Sequence, residues 1–157
     1  MKANILIITA MLTIFSCKAQ QNNNYSKSYS ENVTKLKKVI PNKVSFYGKP
    51  LYTFLQDLND KNITIREGYN ADEWDNDKLR LYFIDWDSRN TLKDGEIASS
   101  ILITFDKPFE KDKASSIVKE NRAKWNENMV NFFKDMIIKE IAFENVSGIN
   151  ALGSKPK

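Results

Sequence analysis

The sequence predicts an α+β domain in which a small antiparallel sheet of three or four strands packs against a long C-terminal helix, with one short helix in addition. Two apolar segments, 79–86 and 98–106, flank a turn-rich stretch that ends in Asp94-Gly95, which is a typical hairpin signal. Residues 112–143 contain no glycine or proline and carry apolar side chains at helical spacing. A sheet followed by a long helix is therefore expected.

The strands are predicted from the alternation of apolar and polar side chains. Residues 63–66 alternate strictly, as a half-buried strand does, and residues 44–46 form a shorter segment of the same kind. Residues 79–86 are apolar on both faces, which indicates a strand in the centre of the sheet. We expect this strand to pair antiparallel with residues 98–106 across the hairpin turn.

The helices are predicted from apolar spacing of three and four residues. Such spacing runs from Leu51 to Leu58 and predicts a short helix over residues 50–59, with Pro50 suited to its first turn. The apolar stripe of residues 112–143 predicts one long helix across the sheet, and any bend in it falls near residues 126–128. That stripe consists of Val118, Trp125, Met129, Phe132, Phe133, Met136, Ile137 and Ile141. Residues 33–41 are amphipathic and fit either a helix or a strand.

The amino terminus has the layout of a secretory signal. Lys2 supplies one positive charge, and residues 5–15 are almost entirely apolar. A membrane-spanning helix needs roughly 20 apolar residues, so this run is too short to span a bilayer. Residues 14–17, with the sequence Ile-Phe-Ser-Cys, resemble the lipobox of Gram-negative bacterial lipoproteins.

The lipobox resemblance implies that Cys17 carries a lipid. It implies a diacylglycerol on the thiol, cleavage of signal peptide 1–16, and acylation of the new amino terminus by a chain such as palmitate. Two or more acyl chains give stable anchoring in a membrane. Lys18 stands where an aspartate commonly retains lipoproteins in the inner membrane, and residues 18–24 contain no acid of the kind that directs export to the cell surface. We expect an anchor in the outer membrane, facing the periplasm.

The remaining chain divides into a tether, a domain and a tail. Residues 17–32 are rich in glutamine, asparagine and serine and predict a lipidated cysteine followed by a flexible tether. Residues 33–147 are long enough for a single domain with its own core. Glycines punctuate residues 148–157, which predicts a frayed tail.

The composition excludes several kinds of chemistry. The chain has no histidine, which is the commonest general base and a frequent ligand of transition metals. Cys17 is the only cysteine, and the lipobox resemblance assigns it to lipid. Zinc, haem and iron–sulfur sites of standard type therefore lack a ligand set, and a triad built on histidine is impossible. We expect no metal and no cofactor, and the absence of a nucleic-acid-binding motif makes such a partner unexpected.

Candidate ligand-binding residues cluster in the acidic segment 72–77. Its spacing does not match a calcium-binding loop, so a solvated acidic loop is the favoured interpretation. Exposed aromatic and acidic side chains also suit a sugar or protein ligand. The candidates are Asp72, Trp74, Asp75 and Asp77. Three further aromatic residues, Tyr69, Tyr82 and Trp86, lie nearby in sequence, and packing of Tyr82 or Trp86 on the second face of the sheet is favoured over an exposed rim.

Two functional hypotheses follow. The anchor and the missing catalytic residue types favour a non-catalytic envelope lipoprotein that binds an envelope protein or polymer. The alternative is a carboxylate-dependent hydrolase acting on cell-wall glycan, because glycosidases work with paired carboxylates and need no histidine. No spacing among the 20 acidic residues singles out such a pair.

Overall fold

The computed structural model describes residues 30–70, 76–90 and 98–146. The chain divides into two compact units, Met1–Glu31 and Asn32–Lys157, and nearly all of the described residues belong to the second. This unit combines a four-stranded antiparallel sheet with several helices, which confirms the predicted α+β class.

Several sequence predictions fall outside the described residues. These are the signal peptide with Cys17, the tether up to residue 29, the Asp94-Gly95 turn and the tail 148–157. Within the described part of the chain, no helix is both long enough and apolar enough to cross a membrane.

The described residues form both helices and strands. The helices are α1 (residues 30–37), a 3-10 helix (Ile40–Phe46), α2 (Leu51–Asp60), α3 (Trp86–Asn90), α4 (Lys111–Glu120) and α5 (Glu127–Phe133). The strands are β1 (Glu67–Asn70), β2 (Lys78–Tyr82), β3 (Ser100–Phe105) and β4 (Ile138–Glu144).

The sheet has the strand order β1-β2-β3-β4, and every neighbouring pair is antiparallel. The predicted central strand 79–86 is confirmed for residues 79–82, because β2 lies between β1 and β3, and its predicted antiparallel pairing with β3 is confirmed as well. The prediction is wrong at its end, because β2 ends at Tyr82 and α3 begins at Trp86. Leu81 pairs with Ile101, and Ile103 pairs with Ile141. All four side chains are fully buried, so one face of the sheet forms the core.

Aromatic and aliphatic side chains from the helices complete this core. The Phe133 ring of α5 stacks on the Phe105 ring of β3 with centroids 6.1 Å apart, and the Phe109 ring meets Phe133 edge to face at 5.3 Å. The fully buried helical side chains of the described residues include Leu36, Leu51, Phe54, Leu58, Ala114, Met129 and Phe133.

The predicted short helix is confirmed as α2, which follows Pro50. The amphipathic lead-in is resolved as a helix, α1, which buries Val33 and Leu36. Residues 30–32, which the sequence predicts as part of the tether, belong to helix α1.

The predicted strand at residues 44–46 is wrong, because these residues end the 3-10 helix. Pro41 lies in the first turn of that helix, where its fixed φ favours a helical start. Val44 is 64% exposed, so the apolar alternation over three residues does not mark a buried face. The predicted strand at 63–66 is also displaced, since β1 begins at Glu67.

The predicted long helix over residues 112–143 is wrong and is replaced by α4, α5 and β4. The break lies between Asn121 and Asn126, whose side chains satisfy the helix ends. The Asn121 amide donates to the carbonyl of Ile117, and Asn126 Oδ1 accepts from the backbone N–H of Met129. These contacts close α4 and cap α5, so a continuous helix is not formed.

The last part of the predicted helix is strand β4, and a bulge explains the misleading spacing. The register between β3 and β4 shifts at Thr104/Phe105, where Thr104 pairs with Glu140 and Phe105 pairs with Ile138. The extra residue on β4 allows Ile138 and Ile141, three positions apart, both to be buried. A spacing of three therefore arises in a strand here and imitates a helix.

Both edges of the sheet are covered by other segments. On the β1 side, the N–H of Gly68 donates to the carbonyl of Ala123 at 2.9 Å, and the N–H of Trp125 donates to the carbonyl of Arg66 at 2.9 Å. On the β4 side, the N–H of Gly48 donates to the carbonyl of Ile138 at 2.8 Å. Such cover protects exposed edges from unwanted pairing.

Candidate binding groove

A groove of about 640 Å³ lies between α2, the segment 63–65 and the start of α5. This volume is in the range of pockets that bind small molecules and side chains. Its lining residues are Tyr52, Leu55, Gln56, Leu58, Asn59, Asn62, Ile63, Thr64, Ile65, Trp125, Val130 and Lys134.

The groove floor is set by the way α2 ends. Asn62 has a φ of 54°, and its N–H donates to the carbonyl of Asn59 at 2.8 Å. The next residue, Ile63, donates its N–H to the carbonyl of Leu58 at 2.9 Å. This pattern is a Schellman motif, in which a residue in the left-handed region closes the helix. It brings the buried side chains of Leu58 and Ile63 together beneath the groove.

One wall of the groove is Trp125, which belongs to the turn between α4 and α5. Arg122 and Ala123 both have positive φ, 51° and 59°, so this turn adopts a backbone conformation that such residues rarely take. The turn is held against β1 by the hydrogen bonds that cover the sheet edge. The indole packs on Gly68, where a Cβ atom would lie 2.6 Å from Cε3 of Trp125.

The groove is apolar at its floor and neutral over most of its rim. Leu58 and Ile63 are buried, whereas Gln56, Asn59 and Asn62 are exposed. Among the described residues, Lys134 is the single charged residue in the lining, and no aspartate or glutamate belongs to it. The Lys134 ammonium donates to Asn131 Oδ1 at 3.0 Å, so no carboxylate neutralises it among the described residues. The groove therefore has a weakly positive character.

The segment 63–65 lies along this groove without a strand partner, whereas the N–H of the next residue, Arg66, donates to the carbonyl of Tyr82 and its carbonyl accepts from the N–H of Trp125. Its exposure alternates, since Ile63 is buried, Thr64 exposed, Ile65 half-buried and Arg66 exposed. Within the described chain, the backbone N–H and C=O groups of Thr64 and Ile65 make no hydrogen bond. The alternation that predicts a strand is thus real, but the segment has no neighbour with which to form a ladder.

A second cluster, which we call the Glu67–Arg89 cluster, comprises Glu67, Tyr69, Tyr82, Trp86 and Arg89. Glu67 is only 4% exposed. Its Oε1 accepts from the backbone N–H of Trp86 at 2.6 Å, and its Oε2 accepts from the Tyr69 hydroxyl at 2.9 Å and from the Arg89 guanidinium. The register pairs Glu67 with Tyr82, which places both on the sheet face opposite Leu81.

Arg89 is surrounded by aromatic rings. Its Cζ lies 3.9 Å from the centroid of the Tyr82 ring and 5.2 Å from that of Trp86. Tyr69 and Tyr82 meet edge to face at 5.9 Å. Burial, together with the hydrogen bond to Glu67, raises the pKa of the Tyr69 hydroxyl above its ordinary value.

The cluster holds α3 on the sheet and does not present a free acid or base. Both carboxylate oxygens of Glu67 already accept hydrogen bonds, and Arg89 is its ion-pair partner. Asp85 closes the start of α3, because its Oδ1 accepts from the backbone N–H of Ser88 at 2.8 Å. Hydrogen bonds from the Ser88 side chain and backbone lower the pKa of Asp85. These contacts fix α3 and leave Trp86 57% exposed.

Of the four sequence-predicted ligand-binding candidates, one is among the described residues. Asp72, Trp74 and Asp75 lie outside the described residues. Asp77 is described and half-buried, its backbone carbonyl accepts from the N–H of Phe105 at 2.7 Å, and it does not line the groove. Tyr82 packs in the Glu67–Arg89 cluster, as the core interpretation predicts, and Tyr69 packs there as well, whereas Trp86 is exposed.

Sequence patterns do not single out the groove residues. The apolar stripe places Trp125 in a continuous helix, although Asn126 three residues before Met129 is a typical helix start. Glu67 and Arg89 have no local signal, because their pairing joins positions 22 residues apart.

No group of three potential metal-ligating His, Cys, Asp or Glu residues occurs in ranges 30–70, 76–90 and 98–146. Comparison of the chain with protein-family models, with curated proteins and with solved structures gives no significant match.

Proposed function

We propose that this chain is a non-catalytic, lipid-anchored lipoprotein of the bacterial cell envelope that binds an envelope protein or polymer in the groove between α2 and α5. The chemical character of the groove supports this proposal. Its floor is apolar, its rim offers neutral amide groups, and its lining contains no carboxylate. Such a surface suits recognition, because apolar contacts supply affinity and the amides supply orientation.

The anchor is the second part of the proposal and rests on the lipobox resemblance. Lipid on Cys17 would place the domain at the outer membrane, facing the periplasm, where an envelope partner is within reach. Cys17→Ala is expected to abolish labelling of the chain by a palmitate analogue and to release it from the membrane fraction. Unchanged labelling of the alanine variant would contradict the anchor.

The binding role is tested by cross-linking in whole cells. A photoreactive residue at Gln56, on the groove rim, is expected to give a discrete cross-linked product. The matched position is Ser116, which is exposed on α4 and does not line the groove. Leu55→Asp should remove the Gln56 product, because it places a charge on the groove wall, whereas Val44→Asp at an exposed position outside the groove should preserve it.

Absence of any product from Gln56, or equal products from both positions, would contradict binding at the groove. The alternative hydrolase requires two carboxylates about 5–9.5 Å apart in a cleft, and the groove lining supplies none. Turnover of purified peptidoglycan that is lost on replacing a single Asp or Glu would overturn the non-catalytic part of the proposal.

A further inference from the structure

The segment 63–65 is the one part of the groove that combines a strand-like pattern with open backbone groups. The N–H and C=O groups of Thr64 and Ile65 make no hydrogen bond within the described chain. Further along the same chain, the turn 123–125 already covers β1. The open segment therefore begins where that cover stops.

An extended segment of another protein matches this arrangement. Backbone pairing with an open strand gives affinity that does not depend on sequence, and pockets for alternate side chains give specificity. Here the neighbouring pocket has the apolar floor of Leu58 and Ile63 and the aromatic wall of Trp125. A peptide strand beside Thr64 would direct every second side chain toward this floor.

Charge favours an occupant with a carboxylate. Lys134 is the only charged residue of the lining, and no acid among the described residues pairs with it. An acidic side chain or a carboxyl terminus at that end of the groove would meet an available ammonium group. A basic peptide would meet Lys134 without a compensating acid.

We propose that the groove binds an extended, apolar segment of an envelope protein as an added strand along Thr64 and Ile65, with a carboxylate of that segment at Lys134. This inference rests on the proposed binding function and narrows its partner from an envelope protein or polymer to a peptide strand. A glycan strand or an acyl chain in the same groove would fulfil the binding function without the strand pairing.

The test uses the full lipidated chain in lipid nanodiscs and short synthetic peptides in which valine and serine alternate. One set ends in a free carboxylate, and its matched set ends in an amide. Exchange of the Thr64 and Ile65 backbone amide hydrogens is followed by NMR. The carboxylate peptides are expected to bind more tightly and to slow exchange at one of these two positions, because successive N–H groups of an extended segment point to opposite sides and an added strand would accept from only one of them.

The role of the Lys134 charge is tested with two lysine variants. Lys134→Glu should weaken the carboxylate peptide roughly tenfold and bring it level with the amide peptide or below it. Lys107→Glu makes the same charge change at an exposed position outside the groove and should leave both affinities unchanged.

Peptide binding that slows exchange at neither Thr64 nor Ile65 would overturn the added strand. Failure of every peptide to bind would overturn it as well. In either case, a groove-specific cross-link from Gln56 would still support the binding function. Saturation of the groove by peptidoglycan fragments or fatty acid, with no response to peptides, would assign it to one of those ligands instead.

Discussion

The indole of Trp125 packs directly on the backbone of Gly68, so that a Cβ atom at position 68 would lie 2.6 Å from Cε3 of Trp125 and 3.1 Å from the methyl carbon of Met129. Glycine at this point of β1 therefore allows the turn between α4 and α5 to reach the sheet. The same contact forms the wall of the groove, so the sheet edge and the groove depend on one close approach.

Gly68→Ala is expected to destabilise the domain by about 1–3 kcal/mol, because the added methyl group overpacks the contact with Trp125. Urea unfolding measures the loss, and the emission of Trp125 should change as the ring moves from β1. In a Trp125→Phe background the cost should be smaller, since the smaller ring relieves the overlap.

Gly48→Ala provides a contrasting control. A Cβ atom at position 48 would meet no atom within 4 Å, but Gly48 has a φ of 75°. Gly48→Ala should therefore lower the stability by about 1–2 kcal/mol through the backbone conformation alone, and this loss should be the same in the wild-type and Trp125→Phe backgrounds. An equal cost for Gly68→Ala in both backgrounds would contradict the packing explanation.

The Glu67–Arg89 ion pair is expected to contribute to the stability of the domain, because each side chain neutralises the buried charge of the other. Arg89→Met should destabilise the domain by about 3–5 kcal/mol, because it leaves the buried Glu67 carboxylate without its cation. Glu67→Gln keeps the shape but leaves the guanidinium unpaired, and it should cost a similar amount. Unfolding in urea at neutral pH measures both effects.

The paired replacement Glu67→Leu with Arg89→Met tests whether the charges are needed together. It should cost clearly less than the sum of Glu67→Leu and Arg89→Met measured singly, because neither charge is then left alone in the core. Additive single effects would contradict this account.

Asn126 is expected to determine where α5 begins. Asn126→Ala removes the oxygen that accepts from the N–H of Met129, and it should cost about 1 kcal/mol of stability. Asn126→Asp keeps an acceptor and should retain most of that stability, although it loses the amide that donates to Asn121. Thermal or urea unfolding separates the two variants, and an equal loss for both would argue against the cap.

Sequence patterns predict the sheet better than the helices around it. Apolar side chains identify β2 and β3 because one face of each strand is buried in the core, and the spacing of Leu51 and Leu58 identifies α2. The long helix fails for two local reasons, the paired asparagines 121 and 126 and the bulge that spaces Ile138 and Ile141 three apart. Neither a bulge nor a partner strand is visible from one segment alone.

The candidate site is harder to predict because its parts come from distant segments. Leu58, Thr64 and Trp125 meet only after the turn at Asn62 and the turn after α4 have both formed. The alternation at residues 63–66 does predict strand character, and the structure adds that Thr64 and Ile65 make no backbone hydrogen bond within the described chain. Local patterns therefore indicate the strand character of this segment but not its place in the groove.

Asp85 gives the stability of α3 a predictable dependence on pH. Its Oδ1 accepts from the N–H of Ser88, and hydrogen bonds from Ser88 lower the pKa of Asp85 below its ordinary value of 3.8. A carboxyl group with a lowered folded-state pKa stabilises the fold above its unfolded-state pKa, and this contribution is lost as the pH falls through the folded-state pKa. The cap should therefore act fully at neutral pH and fade below pH 3.8.

Asp85→Ala should cost about 1 kcal/mol or less at neutral pH, because the carboxylate is largely exposed and its capping bond is its main contribution. The difference between wild type and variant should stay constant down to the ordinary carboxyl pKa and then narrow as the charged cap is protonated. Asp85→Asn keeps a neutral acceptor and should show a difference from Asp85→Ala that does not change with pH. Urea unfolding of the three proteins across this range provides the measurement, and a wild-type advantage that grows in acid would show that the carboxylate does not stabilise α3 through its charge.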